Sequence, residues 1–174
     1  MSKKFELTSN FKVFLGRKLF QIKAMVSFGD VKEGDLGGYI EKEENLSHDG
    51  DAWVYGDAKV CGDAWVCGDA KVCGDAKVCG NAKVCGNAKV YGNAEVCGDA
   101  WVCGNADYAT IKGFGTEFRT TTFFKCKDGV VRVKCGCFYG DLGEFREQVK
   151  HTRSGKIAEE YLMIADLMEK HFRE

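Results

Sequence analysis

Lysines at 59, 71, 77, 83 and 89 stand among Tyr55, Tyr91, Trp53, Trp65 and Trp101, and cysteine recurs through the same stretch at 61, 67, 73, 79, 85, 97 and 103. A lysine beside an aromatic ring suits a ligand that carries both a phosphate and a base, the ammonium meeting the charge and the ring stacking. The competing use of such lysines is to keep a regular surface soluble. Seven acidic residues from Asp51 to Asp99 offset those five lysines, and the net charge is -1. No broad basic surface follows, so long nucleic acid is not expected as a partner. A compact anionic ligand fits better, with Lys59, Lys71, Lys77, Lys89, Tyr55, Tyr91 and Trp53 as its binding residues.

The histidines are few: His48, His151 and His171, with none between residues 49 and 150. General-base catalysis or a three-histidine metal centre needs imidazoles gathered at one place. No catalytic residue and no cofactor is therefore assigned. The cysteines come singly, one to a repeat, without the paired Cys-x-x-Cys knuckles of a zinc site. They read as small apolar side chains that pack in a stack, so no metal is assigned either. Cys135 and Cys137, two apart, are expected on one face of a strand and are a weaker lead. The N-terminal stretch has no apolar run of a secretory signal and no segment approaches the length needed to span a bilayer, so the expected setting is the cytoplasm, with thiols reduced and no membrane.

The elements that hold these residues are written in a six-residue repeat. Alanine falls at 52, 58, 64 and onward every sixth residue to 106, and valine at 54, 60, 66 and onward to 102. Ala-x-Val is a short strand with alanine and valine on one face and the intervening residue on the other. Gly followed by Asp or Asn supplies the left-handed angles of a tight corner. A strand so short is stable only if successive coils stack and bury a continuous column. Ile40 and Leu46 take earlier core positions, Ser47-His48-Asp49-Gly50 forms a longer corner, and Tyr108 takes a later core position.

This pattern resembles the hexapeptide-repeat family, whose fold is a left-handed parallel β-helix with three hexads to a coil. It departs from that family after the core aliphatic, where glycine is usual and this chain has Cys or Tyr. The resemblance implies a mainly β fold of about four coils. The flanking residues themselves read as β-hairpin caps: residues 11–15 and 18–24 form a hairpin around Gly16-Arg17, and residues 120–127 and 130–138 form two strands around Asp128-Gly129. Asp141-Leu142-Gly143-Glu144 resembles a capping box that opens a short C-terminal α-helix, and a second helix follows Ser154 with Ile157, Tyr161, Ile164, Met168 and Phe172 at helical spacing. The expected organisation is a cap over 1–35, the β-helix over 36–110, a strand cap over 111–139 and a helical segment over 140–174. In-register stacking sorts the outward residues into columns: Trp53, Lys71, Lys89; Lys59, Lys77, Glu95; and Trp65, Lys83, Trp101. The face of Trp65 and Trp101, with Cys67, Cys85 and Cys103 beside it, is expected to be buried in a homo-oligomer, most simply a trimer, with Tyr161 and Met168 contributing. The alternative is that the chain's own ends fold back over it.

Acyltransferases are the enzymes best known on the family's fold and place a histidine on the β-helix. A divergent acyltransferase would here need His48 or His151, which makes it the least favoured reading. Phe28-Gly29-Asp30-Val31-Lys32, the run from Gly34 to Ser47, and Cys135-Gly136-Cys137-Phe138 more closely resemble small hexapeptide-repeat proteins of phages and prophages of Gram-positive anaerobes. That resemblance implies a phage accessory protein in the host cytoplasm, binding without catalysis, with a nucleotide-like signal of host defence as its ligand. A structural or protein-interaction scaffold is the alternative.

Overall fold

The computed structural model describes residues 3–173. Two antiparallel strands, β1 (Phe5–Phe14) and β2 (Arg17–Ala24), lead into β3 (Leu36–Ile40) and a parallel β-solenoid of about four turns. The solenoid proper is nine two-residue strands: β4 (Trp53–Val54), β5 (Lys59–Val60), β6 (Trp65–Val66), β7 (Lys71–Val72), β8 (Lys77–Val78), β9 (Lys83–Val84), β10 (Lys89–Val90), β11 (Glu95–Val96) and β12 (Trp101–Val102). Strands β13 (Tyr108–Ile111), β14 (Thr121–Lys125), β15 (Val131–Cys135) and β16 (Phe138–Asp141) form an antiparallel sheet, followed by helices α1 (Leu142–Thr152) and α2 (Gly155–His171). Among the described residues, no helix is long and apolar enough to cross a membrane.

The stacking register is the one the repeat dictates. Lys71 pairs with Trp53 and Lys89, Lys77 with Lys59 and Glu95, and Lys83 with Trp65 and Trp101. All nine valines from Val54 to Val102 are fully buried, and the alanines from Ala52 to Ala100 are at most 1% exposed. Each valine removed from water contributes on the order of 1.5–3 kcal/mol, so the column is the main source of stability. Ile40, Leu46 and Tyr108 join the same core. Ala106, the last alanine of the repeat, does not: it is exposed in a short 3-10 turn. The Asp107 carboxylate accepts from the amides of Cys103 and Gly104 and bends the chain off the solenoid there.

A stack of coils ends in backbone groups that have no next coil, and burying them unpaired is costly. At the first coil the donors come from side chains. Lys4 Nζ donates to the carbonyls of Gly50 (3.1 Å) and Ala52 (2.9 Å), and Asn45 Nδ2 donates to those of Gly62 (3.0 Å) and Ala64 (2.8 Å). Backbone amides of Tyr39, Glu41 and Ser47 cover the carbonyls of Ala58, Val60 and Val66. At the last coil the side chains are acceptors: Asn105 Oδ1 takes the Lys89 amide at 2.8 Å and Thr122 Oγ1 the Glu95 amide at 3.0 Å. Both ends are closed, so coils cannot stack end to end into a filament without undoing these bonds.

Lys4 carries a pH signature. Burial, opposed by Asp51, Asp49 and Asp69, lowers its pKa from 10.5 to about 8. Between those values the unfolded chain holds a proton that the folded chain has released, so unfolding becomes less favourable as pH rises. Stability from this group is therefore lowest below about pH 8 and increases toward pH 10.5. Urea titrations of the native chain and Lys4→Met across that range should show the rising slope in the native chain alone.

The flanks differ from the sequence reading in detail. The first hairpin turns at Leu15-Gly16, both with positive φ, one residue earlier than Gly16-Arg17, and its first strand begins at Phe5 instead of Phe11. The run from Val130 to Phe138 is not one strand. It breaks at Gly136 (φ 58), so Cys135 ends β15 and Cys137 lies in the turn before β16, and the two thiols do not share a strand face. Asp141 does open α1 through a capping box with Glu144.

Candidate functional site

The three solenoid faces meet different neighbours. Trp53, expected to project toward a ligand, is 1% exposed. Strand β1 and the 25–35 loop fold across it: the Phe28 ring meets it edge-on at 5.3 Å and the Phe5 ring at 6.4 Å. His48 stacks on Phe5 at 4.3 Å, accepts the Lys4 amide on Nδ1 and pairs with Glu43 through Nε2. It is a cap residue with both nitrogens engaged. His151 and His171 lie in the last turns of α1 and α2.

The predicted lysines do not converge. Lys71 is ion-paired with Asp30, which raises its pKa, and Lys77 pairs with Glu95 at 3.0 Å. Lys59 donates to the carbonyl of Asp57, and both Lys59 and Lys77 lie beside Phe14 from the first hairpin, at 6.0 and 5.5 Å from its ring centre. Lys71 and Lys89 stand on another face. Lys89 makes no ion pair among the described residues. It shares an open cleft of about 440 Å³ with Tyr91, Asn105, Tyr108 and Thr110. The Tyr91 ring is 61% exposed and meets Tyr108 edge-on at 6.4 Å. Tyr108 donates its hydroxyl to the Lys89 carbonyl at 2.5 Å, and burial pushes its pKa up to about 12, so it stays a neutral donor. Asn105, Tyr108 and Thr110 were not singled out from sequence as lining this cleft. Tyr55 is half-buried one coil away from Cys73, in the column that leads to Tyr91.

The third face stays open. Trp65 and Trp101 are 41% and 40% exposed, and the Lys83 ammonium lies between them, 4.7 and 5.5 Å from their ring centres. The N-terminal segment covers Trp53 and the Cys61–Cys79 pair and leaves these tryptophans in solvent. Of the cysteines beside them, Cys67 is buried, whereas Cys85 and Cys103 are joined in a disulfide across adjacent coils, contrary to the expectation of free thiols throughout. The 18-residue repeat brings their Cα atoms to 4.4 Å, within reach of such a bond. Eight cysteines are free. In the column of Cys61, Cys79 and Cys97, the neighbouring thiols of Cys61 and Cys97 lower the pKa of Cys79 against the opposing effect of burial, with Lys134 and Lys77 adding to the lowering. Among the described residues no three His, Cys, Asp or Glu side chains are placed to share a metal ion.

Tyr161 and Met168, expected at a subunit contact, are 7% and 6% exposed inside a second core with Phe123, Val133 and Phe145. Helix α2 turns this apolar stripe onto α1 and the four-stranded sheet, which consumes it within the chain. No protein-family model matches the chain, and no curated protein matches its sequence.

Proposed function

We propose that this chain is a non-enzymatic, self-associating β-helical binding protein whose ligand is a small anion with an aromatic or nucleotide-like body. The observation that carries the reading is the open β6–β9–β12 face, where two tryptophans and the lysine between them are left in solvent while the chain covers its remaining tryptophan, Trp53. Exposed tryptophans concentrated on a flat face are a feature of subunit contacts. A closed homo-oligomer, most simply a trimer, buries this face and keeps the Lys89–Tyr91 cleft at its edge. An unpaired lysine beside an exposed ring suits a phosphate and a base. The closer resemblance to phage-encoded proteins supports a host defence signal as that ligand, captured and held unchanged in the host cytoplasm.

Native mass spectrometry of the purified protein tests both parts together. A trimer is expected, with retained mass of a small ligand, and Trp65→Glu with Trp101→Glu should release monomers whose circular dichroism is unchanged. A native chain that is monomeric at micromolar concentration, or a double variant that stays assembled, would remove the open face as the contact. A second reading, a scaffold for another macromolecule, uses the same face. It predicts a monomer that carries no small ligand and captures a protein partner through Trp65 and Trp101.

A further inference from the structure

The chain has six arginines, and four of them are held close by a carboxylate: Arg17 by Glu41 at 2.8 Å, Arg132 by Asp128 at 2.7 Å, Arg146 by Asp166 at 2.8 Å and Arg173 by Glu169 at 3.0 Å. The other two are Arg119 and Arg153. Arg119 reaches only Glu117, at 4.0 Å, and Arg153 has no carboxylate partner among the described residues. These two line the same pocket, between the 112–120 loop, the β15–β16 turn and the end of α1. We propose that this pocket binds a compact oxyanion carried on a small apolar body, a phosphate monoester in the first instance, with the two guanidiniums meeting the oxygens. It is a site separate from the Lys89–Tyr91 cleft and goes beyond the reading above.

The walls are fixed by bonds that engage several of the backbone carbonyls around the pocket. Tyr161 donates its hydroxyl to the Phe114 carbonyl at 3.2 Å and pins the loop that carries Arg119. Gly115 (φ 75) is packed so closely on that hydroxyl that an added Cβ would sit 2.4 Å from it. The Arg119 guanidinium lies across Gly136, where a Cβ would come within 2.1 Å of Nη1, so the glycine at this turn makes room for it. At the end of α1 the carbonyls are engaged: the Arg153 amide donates to Val149 O at 2.8 Å and Thr152 Oγ1 to Gln148 O at 2.7 Å. Burial raises the Tyr161 pKa, and Arg153 and Arg119 both oppose that rise, which puts the two cations within electrostatic reach of one hydroxyl.

Phe138, Phe145 and Val149 form the apolar side. Glu117 is the one carboxylate on the rim, so the lining carries two positive charges against one negative. Guanidinium forks bind phosphate and carboxylate oxygens in pairs, and both arginines are exposed to an incoming ligand. The volume, about 230 Å³, is below the roughly 300–1,000 Å³ of pockets that hold drug-sized ligands. That size selects a small monoester over a dinucleotide.

Cys137, exposed at the rim, reports occupancy. Phenyl phosphate at millimolar concentration should raise the melting temperature by several degrees and slow iodoacetamide alkylation of Cys137 several-fold, read by peptide mass spectrometry. Phenol should do neither. Arg119→Gln with Arg153→Gln should abolish both effects; should that variant not fold, Arg153→Gln alone should raise the phenyl phosphate concentration needed for half-maximal protection about tenfold. Lys89→Gln should leave protection intact, which separates this site from the solenoid cleft. Equal protection by phenol, no protection by phenyl phosphate, or protection that survives in the arginine variants would overturn the proposal.

Discussion

Gly50→Ala is expected to destabilise the chain by about 3–5 kcal/mol, whereas Gly16→Ala, at nearly the same backbone angle, costs about 1 kcal/mol. The two glycines have φ values of 72° and 74°, so the left-handed strain of a Cβ is the same at both. Their surroundings differ. Nothing lies within 4 Å of a Cβ at Gly16, but one at Gly50 would fall 2.4 Å from the carbonyl oxygen of Gly68 and 3.1 Å from its carbon. That oxygen cannot swing aside freely, because it accepts the Ala52 amide at 2.8 Å in the bond that joins the first coil to the second. The coils must separate at that corner or the hydrogen bond must break. Urea unfolding of both variants measures the difference; equal losses would show that strain alone governs these corners.

Asn45→Leu should cost about 2–4 kcal/mol, a large part of the roughly 5–15 kcal/mol that stabilises a typical domain. Asn45 is fully buried and makes three bonds: two from Nδ2 to the Gly62 and Ala64 carbonyls, and one that Oδ1 accepts from the Lys42 amide at 2.9 Å. Leucine keeps the volume and leaves those groups without partners. Asn45→Asp is the sharper probe, because an ionised carboxylate keeps the acceptor and faces two carbonyls without a donor. It should be at least as damaging at pH 7 and partly recover at low pH, when the protonated carboxyl regains one donor. A melting temperature for Asn45→Leu within a degree or two of the native chain would mean that water replaces the amide at this end.

The predictions about function rest on a different kind of information. The alanine and valine columns, the register of the outward residues and the capping box of α1 were readable because each depends on neighbours at fixed, short spacing. Trp53 shows where that reading stops. Its place in the repeat is the same as that of Trp65 and Trp101, yet it is buried because Phe5 and Phe28, far away in the chain, close over it. Tyr161 and Met168 fail as contact residues for a related reason: an apolar helix stripe says that it will be covered, and not by what. The break at Gly136 did have a local signal, a glycine between two cysteines, and there the simpler reading of a continuous strand missed the turn.

By itself the sequence determined that this chain stacks hexads into a parallel β-solenoid, which residues form its core and which stand in each outward column. It did so because a period of six, repeated without interruption, leaves one way to bury alanine and valine. Only the tertiary structure decided which outward column is covered, which lysines are spent on internal carboxylates, and that Arg119 and Arg153 meet beside Tyr161. Those outcomes come from contacts between segments far apart in the chain, and no local pattern encodes such a meeting.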